Sequence, residues 1–154
     1  MKPLLTVETA PTQLGLPAAL RQQLSHLAEA SYPFEACGLL VGRMGDTRID
    51  TVRICPARNL NRERPEDRYL LDPQDFLAAD QAARAQGLEI VGFWHSHPNS
   101  PAYPSQTDLE AAWEGYSYLI ISTTGDGAEG AGAFRSWRLI DNRFLEEAID
   151  TGGN

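Results

Sequence analysis

LEIVGFWHSH, residues 88–97, is the stretch on which the fold turns. From Ile90 onward its apolar and aromatic residues lead into a histidine pair and end at Pro98, the pattern of a strand. Alternation along a strand places His95 and His97 on one face, with Phe93 beneath them as a floor. Trp94 and Ser96 face the opposite layer. Two imidazoles two residues apart on a rigid strand converge on one point.

Working outward, Asp72, Pro73 and Asp75 form a helix start: a cap, a preset first turn and an acid at the positive end. The helix should cover Phe76–Gln86 and stop at Gly87. Further upstream, EACGLLVGR (residues 35–43) reads as a largely buried strand. Gly45 and Asp46 make a hairpin turn, and Thr47–Cys55 returns with alternating Ile49, Val52 and Ile54. Arg58–Arg68 is polar and charged, an exposed loop, and Tyr69–Leu71 pairs briefly with the sheet. Nearer the start, Leu4–Glu8 is a candidate first strand. Leu16, Leu20, Leu24 and Leu27 fall at helical spacing, and that helix ends before Tyr32-Pro33.

Downstream of the histidines, residues 98–104 hold three prolines and must be a loop. Ser105–Trp113 begins a short helix, and Tyr118–Ser122 and Gly132–Ile140 read as strands. Arg143–Ile149 fits either a strand or a helix. The expected architecture is α/β, a mixed sheet sandwiched by helices, in one domain over residues 1–150 with a flexible tail at 151–154.

A chain of 154 residues suits one core of good size. Its 42% hydrophobic and 22% charged content is that of a folded protein. No apolar run reaches the ~18 residues of a membrane span, and the N-terminus lacks a secretory pattern, so the expected location is cytoplasmic. The net charge of −8 is uneven: residues 1–77 carry 10 acids and 9 bases, residues 78–154 carry 11 and 4. An acidic half bearing the histidines argues against nucleic acid as a partner. Cys37 and Cys55 lack the CxxC spacing of a thiolate metal site and read as small reduced strand residues.

Two histidines and a carboxylate are what a catalytic zinc ion uses when its fourth position is kept for water. Asp108 supplies that carboxylate after a stiff loop able to fold back. Ser105, three residues earlier, presents a hydroxyl at the same helix entrance. S-x-x-D is also a capping-box pattern, so Ser105 and Asp108 have a structural reading that can coexist with ligation. Glu35 stands upstream as a base for the water. The third histidine, His26, belongs to the first helix and has no part in the constellation. Ligand type alone suits iron or manganese as well as zinc.

Glu35-x-Cys37-Gly38-Leu39-Leu40-x-Gly42, then His95-Ser96-His97-Pro98, then Pro104-Ser105-x-x-Asp108 resembles the signature of the JAMM (MPN+) metalloproteases, also called the JAB domain. The match reaches from about Tyr32 to Ser122. The resemblance implies a cytidine-deaminase-like fold and a zinc peptidase cutting peptide or isopeptide bonds beside the C-terminus of ubiquitin-like proteins. It implies that His95, His97 and Asp108 bind zinc, that Glu35 holds and deprotonates the water, and that Ser105 donates to the oxyanion. With little room for insertions between Asp108 and Ser122, the chain resembles short bacterial members that trim sulfur-carrier proteins to expose Gly-Gly. Broader removal of ubiquitin-like tags from lysines, a non-catalytic scaffold, and a structural zinc site closed by Cys37 are the alternatives. A Cys–His hydrolase using Cys37, or a serine hydrolase centred on Ser105, fits less well. The Arg58–Arg68 loop is a candidate docking element, and Gly152-Gly153 superficially imitates a carrier terminus.

Overall fold

The computed structural model describes residues 9–124 and 133–152. The elements follow in the order β1 (Thr9–Gly15), α1 (Ala18–Ser31), β2 (Cys37–Met44), β3 (Arg48–Ala57), α2 (Pro73–Ala85), β4 (Glu89–Pro98), α3 (Gln106–Ala111), β5 (Ser117–Thr123), β6 (Phe134–Ile140) and β7 (Arg143–Asp150). Hydrogen-bonded neighbours run β1-β3-β2-β4-β5-β6-β7, and β1 also pairs with β7, so the sheet closes on itself. The ladders β1–β3, β1–β7 and β4–β5 are parallel and the rest antiparallel.

The expected mixed sheet with helices on both faces is present, and its closure is an addition. That closure depends on β1, whose sequence TAPTQLG carries no strand alternation; ladders from β3 and β7 on either side impose its extended form. The strand expected at Leu4–Glu8 lies outside the described residues, as do Gly153 and Asn154 at the tail. Arg143–Ile149 resolves as a strand because Asp141 and Asn142, with φ of 52° and 65°, make the two-residue left-handed turn that joins hairpin strands.

On one face, Leu24 and Ala28 of α1 pack on Leu40, Val91, Trp94 and Leu119. On the other, Ala79 and Ala83 of α2 pack on Leu39, Val41 and Ile90. Val91 and Trp94 share a face although three residues apart. The β2–β4 register slips between Leu40 and Val41, so β4 carries a bulge there. Beyond the bulge, alternation is regular and delivers His95 and His97 to the α2 side. The cap predicted for α2 is present: the Asp72 side chain accepts from Gln74 N–H at 2.9 Å, and Gly87 ends the helix at φ 72°. Among the described residues no helix is long and apolar enough to cross a membrane.

Candidate metal centre

β4 runs between β2 and β5, so its last residues emerge from the middle of the sheet on a backbone held from both sides. His95 and His97 are 1% and 7% exposed. Their Nε2 atoms lie 3.1 Å apart, and Asp108 Oδ2 lies 3.3 Å from the first and 3.2 Å from the second. For an ion bound tetrahedrally at about 2.0–2.1 Å, ligand atoms sit roughly 3.3–3.4 Å apart. These three atoms therefore form a near-equilateral triangle of the size that one face of a zinc polyhedron requires.

Asp108 reaches this point through the capping box of α3. Ser105 Oγ accepts from Asp108 N–H at 3.0 Å, and Ser105 N–H donates to Asp108 Oδ2 at 2.9 Å. The cap and the convergence on the histidines use the same carboxylate oxygen, so capping is observed and leaves that oxygen placed where ligation would need it. Burial opposes ionisation of Asp108, but hydrogen bonds from His95 and His97 outweigh it and hold the carboxyl well below the usual range. His97 Nδ1 faces the Pro101 carbonyl at 3.0 Å, which fixes the tautomer leaving Nε2 free for a metal. Burial pushes His95 down, toward the neutral form a metal needs.

Glu35 precedes β2 and is 5% exposed. Glu35, His95 and His97 each offer one ligand atom, all within 4.8 Å of one another. Glu35 Oε1 and His95 Nδ1 are buried with no hydrogen-bond partner among the described residues. Burial raises the Glu35 carboxyl to about 8, with His97 pulling it down and Asp108 pushing it up. A carboxyl held so close to two imidazoles, with one oxygen unsatisfied, fits a cation and its water.

Several residues beyond the expected set hold this arrangement. Ser96 Oγ accepts from Ala36 N–H at 2.8 Å, and Ser96 N–H donates to the Ala36 carbonyl at 3.0 Å, anchoring the residue next to Glu35. Glu35 N–H donates to Pro65 at 2.7 Å, and Asn59 Nδ2 donates to the Glu35 carbonyl at 3.2 Å. Tyr69 stacks on His95 with ring centroids 4.5 Å apart. The loop between β3 and α2 thus fixes both the acid and one imidazole. A polar asparagine in a charged loop gave no signal of this in the sequence. His26 is exposed on α1, away from the centre. Cys37 pairs with His95 across the β2–β4 ladder but points its thiol at the Ala57 and Arg58 carbonyls, 3.8 Å away, and burial pushes it up to about 12, unsuited to a nucleophile in the metal-free chain.

Two recesses flank the centre. A polar pocket of about 300 Å³ is lined by Glu35, His97 and Ser105. An apolar groove of about 640 Å³ passes Asp108 along Tyr69, Phe93 and Trp113. Phe93, expected as a floor, stacks between Phe76 and Tyr118 within the groove.

A strand-borne imidazole pair joined by two acids, on a mixed sheet with helices on both faces, defines a metal-centre hydrolase of the JAB type. The chain belongs to the prokaryotic homologs of the JAB domain, whose profile matches residues 17–140. It is 41% identical over 120 residues to a desampylase of Haloferax volcanii, covering 74% of this chain and 84% of that protein. It is 32% identical over 126 residues to the CysO-cysteine peptidase of Mycobacterium tuberculosis, covering 80% of each. The solution structure of a protein from Desulfitobacterium hafniense superposes with a TM-score of 0.78 at 30% identity, covering 90% of this chain and 92% of that one.

Proposed function

We propose that this chain is a zinc-dependent peptidase that hydrolyses the bond after the C-terminal Gly-Gly of a ubiquitin-like sulfur-carrier protein. The observation that carries the reading is the triangle of Nε2, Nε2 and Oδ2 atoms, 3.1–3.3 Å on a side, with the unsatisfied Glu35 oxygen beside it. The relatives named for peptidase and desampylase activity support the substrate class. His95, His97 and Asp108 would hold the ion.

A zinc ion held there supplies Lewis acidity, bringing the pKa of water down to about 7 and polarising the substrate carbonyl. Glu35 accepts the proton of the attacking water and returns it to the departing amine. Asp108 N–H already occupies one lone pair of the Ser105 hydroxyl, whose hydrogen stays free to donate to the oxyanion. Asn59 and Pro65 keep the backbone of Glu35 fixed while its carboxyl cycles.

The test is an incubation with carriers bearing linear C-terminal extensions and with lysine-linked conjugates, followed by mass. Zinc-dependent trimming to Gly-Gly is expected. Cleavage of lysine-linked conjugates alone would move the chain to the isopeptidase reading, and no cleavage by the zinc-loaded chain would remove the proposal. Glu35→Gln should retain its metal and lose roughly 10³-fold or more in kcat.

A further inference from the structure

The polar pocket and the apolar groove take different sides of the scissile bond, and Glu35 decides which. A base that returns a proton to the departing amine must reach that nitrogen within hydrogen-bond distance. Glu35 lines the polar pocket and does not line the groove. The leaving residue therefore sits in the polar pocket, and the carrier's tail approaches past Asp108 along the groove.

The polar pocket is also lined by Arg64, Glu66, Asp67 and Arg68, the last standing at the edge the pocket shares with the groove. Arg64 is engaged by Asp67. Arg68 is exposed, and its guanidinium has no ion pair or hydrogen bond among the described residues. Its position is nonetheless built. Asn59 Nδ2 donates to the Arg68 carbonyl at 3.1 Å and to the Glu35 carbonyl at 3.2 Å, so one amide ties the arginine's backbone to that of the base. Arg68 N–H also donates to the Arg64 carbonyl at 2.9 Å. A volume of about 300 Å³ lies at the small end of ligand sites, suited to a short extension rather than a folded leaving protein.

We infer that Arg68 is a specificity residue that binds the free α-carboxylate of a short C-terminal extension as it leaves. The inference rests on the peptidase reading above. A planar guanidinium pairs bidentately with a carboxylate, the one charged group every terminal residue carries whatever its side chain. Asp67 is spent on Arg64, but Glu66 in the same lining opposes a second negative charge, which disfavours acidic side chains on the extension. A lysine in an isopeptide linkage has its own carboxyl locked in a peptide bond and offers nothing to Arg68. The pocket thus favours trimming of linear ends over deconjugation.

The test uses zinc-loaded Glu35→Gln protein and two short peptides ending Gly-Gly-Ala, one with a free carboxylate and one with a C-terminal amide, titrated calorimetrically. The carboxylate form is expected to bind about tenfold tighter, about 1.4 kcal/mol. The preference should vanish when Arg68→Ala is added and persist in part with Arg68→Lys. Equal affinities, or a preference that survives Arg68→Ala, would overturn the inference. Trimming by the otherwise native chain is read separately. Trimming without a carboxylate preference leaves the peptidase reading standing and removes Arg68 from it; an Arg68-dependent preference without trimming does the reverse.

Discussion

Ser105 caps α3 and lines the polar pocket, so under the proposed function one hydroxyl would serve both the cap and the oxyanion. Ser105→Ala removes both. Loss of an oxyanion donor costs about 10²-fold in kcat, and loss of a cap about 1 kcal/mol of stability. Ser105→Thr retains the cap and the donor and should recover most of each. Steady-state kinetics beside thermal melts would separate the effects; a Ser105→Ala variant with native kcat would confine Ser105 to capping. At this scale the convergence of His95, His97, Asp108 and Glu35 was legible in the sequence, because these residues are few in kind and regular in spacing. Their supports were not. Asn59, Tyr69 and Pro101 act through a side-chain amide, a ring face and a backbone carbonyl, contacts that exist only once distant segments meet.

At the level of elements, β2 and β4 form the frame on which the acid and the imidazoles meet. Gly38 lies opposite Trp94 in that ladder. A Cβ at Gly38 would stand 2.1 Å from the Cys55 carbonyl and 2.5 Å from the Trp94 indole nitrogen. That nitrogen donates to the same carbonyl at 3.3 Å. The backbone oxygen cannot withdraw without breaking the β2–β3 ladder, so Gly38→Ala should cost about 2–3 kcal/mol, read as a lowered denaturation midpoint. An unchanged midpoint would show that the ladder yields. The strands and α2 were legible from alternation, Pro73 and Gly87. Strand β1 was not, since its extended form comes from its neighbours. The Asp141-Asn142 pair is a local turn signal, and it is what makes β7 a strand rather than a helix.

For the whole molecule, the site is a buried charge cluster, so stability follows pH. Burial raises Glu35 from 4.5 to about 8. Between those values the folded metal-free chain holds a proton that the unfolded chain has released. This group's contribution is full below about pH 4.5 and is lost as pH rises to about 8. His97, pushed up by its hydrogen bonds to Asp108 and Pro101 in spite of burial, adds a loss of the same sign. His95, pushed down by burial, acts oppositely. Glu35→Gln removes the first contribution and, because the Glu35 charge also helps to raise His97, part of the second. Chelated wild type should therefore lose stability relative to chelated Glu35→Gln as pH rises from 5 to 8, by up to about 1.4 kcal/mol per pH unit. Parallel melting curves would show that Glu35 is not held protonated. A second buried acid ties the closed sheet together: Glu147, 1% exposed, accepts from Ser117 at 2.8 Å and Ser136 at 2.7 Å and from Thr12, joining β1, β5, β6 and β7.

The proposed function stands or falls with one divalent ion shared by His95, His97 and Asp108 beside Glu35. Anomalous diffraction from zinc-soaked crystals, collected across the zinc edge, tests it most directly. A single strong peak is expected about 2.0–2.2 Å from both Nε2 atoms and from Asp108 Oδ2. A map with no peak among those atoms, or with the peak drawn to the Cys37 sulfur, would contradict it.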